Sequence, residues 1–429
     1  MADDASTAEM LDRRARSVFP GGVSHNVRHV DGTPFYATRA EGAHLVDADG
    51  NRYVDFWMNH HASLLGHAHP SVRERVREQA ARGLHYGTPN EPAIELGERV
   101  CEVIPSAERV RFCASGTEAT MYATRLARAV TGRTTILKAE GGWHGGNTDL
   151  ANFVNAPFDE PDTIGLPPGM DDALVGFPIN DREAVADLLA EHDVAGVIVE
   201  PMLLGGGGIE ADPEFLSFLR DEADDRGFVL ILDEVVTGFR VAPGSMQERH
   251  GIMPDLTTLG KVLGGGLPVG AICGHASLFE RSNPTVPAGE AVIAGGGTFS
   301  SNPMTAVAGL ATLDVIDREP VYERTEARGA RIRTGLAELY RDHGIDARVL
   351  GTSSFFLSHF EPVGPLRTVA DVETGTNREA LVHFHRQLYE RGYYLLPGHM
   401  GSVSYQTSDD LVDGLLAAAR DVVEAGEIV

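Results

Sequence analysis

The sequence predicts an α/β protein: a large domain on a mostly parallel central sheet, and a smaller α+β domain at the C-terminus. Three observations carry this. At 429 residues the chain exceeds what one hydrophobic core usually fills. From about residue 90, short β-rich runs alternate with helical patterns, as parallel strands joined by crossovers do. Past residue 310 the character changes to a long arginine-rich amphipathic segment and then mixed strands and helices. These shifts divide the chain into an N-terminal segment, 1–65, expected to pack with the small domain; a large domain, 66–310; and a small domain, 311–429.

In chain order, residues 1–60 are mixed, with an extended run Ala43–Asp47 ending at the turn Asp49-Gly50-Asn51. Helix is predicted over Glu95–Val103, a buried strand over Arg109–Ala114, helix over Thr117–Val130 and strand over Thr134–Lys138. The Pro- and Gly-rich stretch Asn155–Asp172 reads as a surface or active-site loop. Helix Arg182–His192, strand Val194–Glu200, helix Pro213–Arg226 closed by Gly227, and strand Phe228–Leu232 follow. Strands near 255–259 and 269–273 complete the sheet. Helix Met304–Arg318 leads into the amphipathic Val321–His343. Strand candidates Arg348–Phe360 and Tyr393–Leu396 then alternate with helices Arg378–Arg391 and Asp409–Ala425.

Hydrophobic residues make up 42% and charged ones 23%, a globular balance. No apolar run reaches the roughly 18 residues that cross a bilayer, and the start Met1-Ala2-Asp3-Asp4 lacks the features of a secretory signal. Cys101, Cys113 and Cys273 have no metal-like spacing and suit a reducing compartment. A soluble, cytoplasmic protein is expected. The net charge of −26 argues against nucleic-acid binding, because phosphate contacts need a basic surface. His60, His61, His67 and His69 cluster in sequence, but not with zinc spacing and with no cysteine nearby, so no metal is expected.

The chemistry begins with lysine. Only Lys138 and Lys261 occur; the other 34 of the 36 basic residues are arginine. Arginine supplies charge but cannot act as a primary amine, whereas an amine that forms a Schiff base must be lysine. Lys261 lies between a strand and the glycine-rich turn Gly264-Gly265-Gly266, which makes it the first candidate for a covalent anchor, with Lys138 its rival. Gly260-Lys261 is not a nucleotide P-loop, since Asp255 stands where the first glycine belongs and Val262 replaces the Ser or Thr.

The turn Ala114-Ser115-Gly116-Thr117 joins a buried strand to a helix, where free amides and the positive dipole end can cradle a phosphate or simply cap the helix. Asp233 ends a buried strand, the usual ligand-facing end of an open α/β sheet. There a carboxylate can keep a pyridinium nitrogen protonated, or cap the next turn. Trp143 and His144, on the loop Glu140–Gly146, offer an aromatic ring that could stack on a flat cofactor or pack locally. Together these residues supply a phosphate cup, a ring-nitrogen carboxylate, a stacking aromatic and an anchoring amine.

Four ordered motifs carry a resemblance: Ser115–Ala119, Asp233–Arg240, Asp255–Lys261 and Gly297–Pro303. They resemble the class III pyridoxal-phosphate aminotransferases, most closely the branch with glutamate-1-semialdehyde aminomutase and β-amino-acid aminotransferases. The resemblance implies fold type I, pyridoxal 5'-phosphate as cofactor, and a homodimer that shares its active sites. Lys261 would form the internal aldimine and shuttle the proton. Ser115, Gly116 and Thr117 would hold the phosphate, helped by Thr298 of the partner. Asp233 would pair with the ring nitrogen, with Val235 and Trp143 on the two ring faces and His144 nearby. Arg28 falls where this branch binds the substrate carboxylate, with Ser24 beside it.

Three departures bear on the substrate. The branch's tyrosine before the Gly-Thr motif is absent from Glu290–Gly296. The C-terminal loop Pro397–Ser402 lacks the branch's glutamate, and Asn152–Gly165 does not match its serine-bearing gating loop. The expectation is therefore an aminotransferase working between an amino acid and a keto acid or semialdehyde. The aminomutase is the alternative, and a racemase or a non-catalytic pyridoxal-phosphate-binding protein comes after it.

The charge also makes a prediction about salt. Self-repulsion at −26 destabilises a compact fold, and salt screens it. The melting temperature should rise between low and molar potassium chloride, the behaviour of a protein suited to a salt-rich cytoplasm; an ordinary acidic protein would show no such rise.

Overall fold

A computed structural model describes residues 6–30, 35–169 and 173–428. The acidic start Met1–Asp4 and the end of the Asn155–Asp172 loop lie outside the described residues.

The large domain is organised by seven strands: β1 (Arg109–Cys113), β2 (Thr135–Ala139), β3 (Leu174–Phe177), β4 (Val194–Val199), β5 (Val229–Glu234), β6 (Leu256–Gly260) and β7 (Gly270–Gly274). Their order across the sheet is β1-β7-β6-β5-β4-β2-β3. All contacts from β6 through β3 are parallel, while β7 runs antiparallel to both β6 and β1. β4, β5, β6 and β7 are buried at every position, which is why their sequences do not alternate apolar and polar residues, and β5 ends in the buried acids Asp233 and Glu234. Edge strand β3 was not expected from the sequence.

Helix α1 (Gly116–Thr131) crosses over this sheet. Ser115 caps it, its hydroxyl accepting the Glu118 amide, and left-handed Gly132 ends it. Helix α2 (Pro213–Arg226) starts with proline and stops at left-handed Gly227, with the bounds the sequence predicts. Because β7 is antiparallel to both β1 and β6, β1 points the same way as the parallel strands, and the C-terminal ends of β1, β2, β4, β5 and β6 open on the same edge.

The C-terminal part departs from expectation in several places: helix Val369–Gly375 and strand Gly401–Ser402 were not expected, and strand Tyr393–Leu396 is shortened to Tyr393–Tyr394. Arg348–Phe360 is not a single strand; it folds as the antiparallel pair Ala347–Leu350 and Phe355–Phe360, turning at Gly351 and Ser353, both at positive φ. Tyr340, Phe360 and Phe384 pack edge-to-face in the core beneath. The first three strands, Ala37–Glu41, His44–Asp47 and Arg52–Asp55, form a sheet whose fourth strand is Tyr393–Tyr394, so the two ends of the chain share one layer. Tyr53 stacks on Tyr389 (4.8 Å) and Phe35 on Tyr394 (4.7 Å) across this join. Helices Thr7–Val18 and Pro70–Arg82 were not anticipated. All three cysteines are free, and among the described residues no helix is long and apolar enough to cross a membrane.

Candidate active site

The strand edge concentrates the chemistry around Asp233, the penultimate residue of β5. Its Oδ1 accepts the Thr258 hydroxyl (2.7 Å) and the Val235 amide (3.0 Å). Its Oδ2 accepts from His144 Nδ1 at 2.6 Å. Burial pushes this carboxyl's pKa up, but the His144 bond and charge, with the Thr258 and Val235 donors, outweigh it and hold Asp233 below the usual range. His144 is itself buried, and desolvation holds it below the ordinary histidine value against the pull of Asp233. Its Nε2 is buried without a hydrogen-bond partner among the described residues.

Lys261 follows β6 directly and takes φ +43°, a strained conformation for a residue with a side chain. Desolvation lowers its pKa, partly offset by the charges of Asp233 and Glu200. Lys138 differs. Its Nζ donates to the carbonyls of Leu150 (3.0 Å) and Asn152 (2.5 Å), so the buried amine is spent on holding a loop.

Ser115, Gly116 and Thr117 lie half-buried at the start of α1. In this arrangement the Ser115 hydroxyl donates to Glu118 Oε2 (3.3 Å), which also accepts the Ala114 amide (2.8 Å). The glycines around the turn are there for lack of room. A Cβ on Gly116 would lie 2.9 Å from a Val235 methyl, and one on Gly145 (φ +85°) would lie 2.2 Å from Thr117 Oγ1. One on Gly270 would meet the Ser115 carbonyl at 2.0 Å. Val235 also reaches within 3.2 Å of where a Gly260 Cβ would stand, so a single side chain touches both the helix turn and the residue before Lys261.

Other residues singled out in the sequence are more dispersed. Trp143 is 53% exposed, while its amide donates to Glu200 Oε1 (2.8 Å). Thr298 is exposed, on the turn that follows Gly297. Ser24 and Arg28 line a cavity of about 810 Å³ with Trp57, Asn59, His60 and Tyr394. Burial, then the charges of His25, Arg28 and Lys261, push His60 down to about 4, so Arg28 and Lys261 act on the same ring. His67 pairs with Asp55 (2.7 Å) and His61 with Ser402 (2.9 Å). Among the described residues, no group of three or more His, Cys, Asp or Glu is placed to hold a metal.

Sequence reasoning missed Thr258, Glu200 and Arg240. Glu200 had a signal: like Asp233, it is an acid at the end of a buried strand. Arg240 is fully buried, donating to the carbonyls of His61 (2.6 Å) and Val403 (3.1 Å).

The sequence model of aminotransferase class-III matches residues 26–356. The chain belongs to the class-III aminotransferases. It is 41% identical over 390 residues to glutamate-1-semialdehyde 2,1-aminomutase of Methanopyrus kandleri, covering 90% of this chain and 89% of that one. It is 40% identical over 421 residues to the aminomutase of Methanothermobacter thermautotrophicus, covering 97% and 98%. Among solved structures, an omega-transaminase from Sphaerobacter thermophilus superposes with a TM-score of 0.92 at 34% identity, over 99% of this chain and 98% of that one. The mixed sheet and its helices are fold type I.

The cofactor of this class-III enzyme is pyridoxal phosphate, and the residues present fit it. Three features are what such a group needs: a buried ionised carboxylate, an amine of lowered pKa bonded to no described residue, and a glycine-built helix turn. The unpartnered Nε2 of His144 is a further polar atom in the same place. A side chain at residue 145 would invade this cradle. Gly145→Ala should therefore weaken pyridoxal phosphate binding by at least about tenfold, with a lower melting temperature, through steric overlap and positive φ. Fluorescence titration with the cofactor checks this, and native affinity in the variant would contradict the packing described.

Proposed function

We propose that this class-III enzyme moves an amino group within glutamate-1-semialdehyde, from one carbon to its neighbour. Support comes from the curated relatives, aminomutases at 40–41% identity over nearly the whole chain, which weigh the aminomutase alternative above the two-substrate aminotransferase that the motifs alone suggested. The observation that carries the reading is the cavity walled by Arg28 and His60, where Arg28 can receive a carboxylate and the His60 ring feels the charges of both Arg28 and Lys261.

When bound, pyridoxal phosphate supplies an electron sink for the bond broken at the substrate carbon. The chain's residues do the rest. Asp233, kept ionised by three donors, would hold positive charge at the ring nitrogen. The Ser115–Thr117 turn would hold the phosphate at the α1 N-terminus, and Val235 and Trp143 would supply the apolar surfaces for the ring. Lys261, with its amine eased toward the neutral form by burial, is the nucleophile that anchors the cofactor and then the base that moves the substrate proton. Arg28 and Ser24, on the cavity wall, would bind and orient the substrate.

A second copy of the chain completes this reading as a homodimer. Segments near residues 84–94 and 293–301 are tied by the Asn90 side-chain Nδ2, which donates to the Ser301 carbonyl (2.9 Å), and by the His85–Phe299 ring contact. They leave Leu84, Tyr86, Ile94, Ile293 and Phe299 exposed beside Thr298. Such a patch calls for a partner surface, and Thr298 would reach the partner's phosphate site.

An intermolecular aminotransferase is the second reading. It is favoured by the loop Pro397–Ser402, which carries no acid, and by the omega-transaminase likeness. The visible spectrum of the cofactor-loaded protein in high salt separates the two as α-, β- and ω-amino acids and diaminovalerate are added singly. A change confined to diaminovalerate supports the aminomutase. Conversion by an ordinary amino acid contradicts it and establishes the aminotransferase.

A further inference from the structure

We propose that Glu200 is a positioning residue for this site: its carboxyl holds the Gly141–Gly146 loop through the Trp143 amide and thereby sets His144 against Asp233. Glu200 directly follows β4. Val199 is in register with Leu232, so Glu200 and Asp233 stand side by side at the ends of adjacent strands. Glu200 is only 4% exposed, and its Oε1 accepts the Trp143 amide at 2.8 Å. The next residue, His144, is the one whose Nδ1 meets Asp233 at 2.6 Å. Two neighbouring carboxyls thus grip two consecutive loop residues, one by backbone and one by ring.

The loop needs such a grip. Gly141 and Gly145 both sit at positive φ, so its backbone is permissive. Its ends are fixed elsewhere, by the Gly141 amide on the Phe153 carbonyl (2.9 Å) and by the Thr120 hydroxyl on the His144 carbonyl (2.6 Å). Between these ends, the Trp143 amide is held by Glu200.

Two buried carboxyls this close do not both ionise cheaply. Asp233 has three donors and Glu200 has one. Burial, then the charge of Asp233, pushes Glu200 up to about 8, against the Trp143 amide and the charges of Lys261 and Lys138. Near neutrality Glu200 is a carboxylic acid whose carbonyl oxygen accepts the amide while the other oxygen keeps the proton. The charged groups that face it are Asp233 from β5, Lys261 at the end of β6 and Lys138 from β2. The inference rests on the proposed function only for what the loop serves; the grip itself is measured without the reaction.

The test uses protein free of cofactor and reads hydrogen exchange at the Trp143 amide. Glu200→Ala should speed that exchange about tenfold or more, and Glu200→Gln, which keeps a carbonyl acceptor, should return it to within about threefold of native. A second readout is Trp143 fluorescence against pH in a Trp57→Phe background, since the chain has two tryptophans. It should inflect near pH 8 and lose that inflection in Glu200→Gln. Burial brings Lys138 to about 8 as well, so the Gln variant makes the assignment. Native exchange in a folded Glu200→Ala, or an inflection that survives Glu200→Gln, overturns the proposal. Should Glu200→Ala not fold, Glu200→Gln and the pH titration decide. If the loop responds as expected but the protein moves no amino group, the reading of function fails and this one stands.

Discussion

The site depends on keeping one charge, that of Asp233, ionised in the core. A buried carboxylate is costly unless donors replace its water, and here Thr258, the Val235 amide and His144 do so. Each donor fixes a different part of the protein: β6, the turn after β5, and the glycine loop after β2. Satisfying the carboxylate therefore assembles the site. The same charge pulls Lys261 toward its protonated form, and desolvation pulls it away; desolvation wins, leaving an amine suited to nucleophilic and base chemistry.

The second carboxyl follows from the first. Burial, and then the ionised Asp233 beside it, pushes Glu200 toward its neutral form, whose carbonyl oxygen can still accept the Trp143 amide. A similar economy appears in the two lysines. Lys138 is fully buried, with two carbonyls taking its protons, whereas Lys261 is half-buried and strained in backbone, and it faces carboxyls without a hydrogen bond to any described residue. One amine is tied into the fold, and the other carries no such bond among the described residues.

Much of this was legible in the sequence. Asp233 and Lys261 could be read because each sits at the end of a buried strand, and because lysine is so scarce that its placement is informative. The α2 bounds were legible because proline and glycine punctuate both ends. Glu200 carried the same end-of-strand signal as Asp233, but its meaning depends on β4 lying beside β5, and adjacency of strands is not written in one strand's pattern. Nor could the sequence show that Trp143 leaves its ring half in solvent while its amide turns inward. The hairpin in 347–360 was read as one strand because apolar runs flank a short turn, and the positive φ at Ser353 is not a residue preference. Arg28 lies far from Lys261 in the chain, and only the fold brings both to bear on His60.

The central claim is that Lys261, not Lys138, is the reactive amine beside Asp233. Reduction of the pyridoxal-phosphate-loaded protein with borohydride, followed by peptide mapping, tests it directly. The account predicts the pyridoxyl label on the peptide containing Lys261, with Lys138 unmodified. A label on Lys138 with Lys261 free would contradict it.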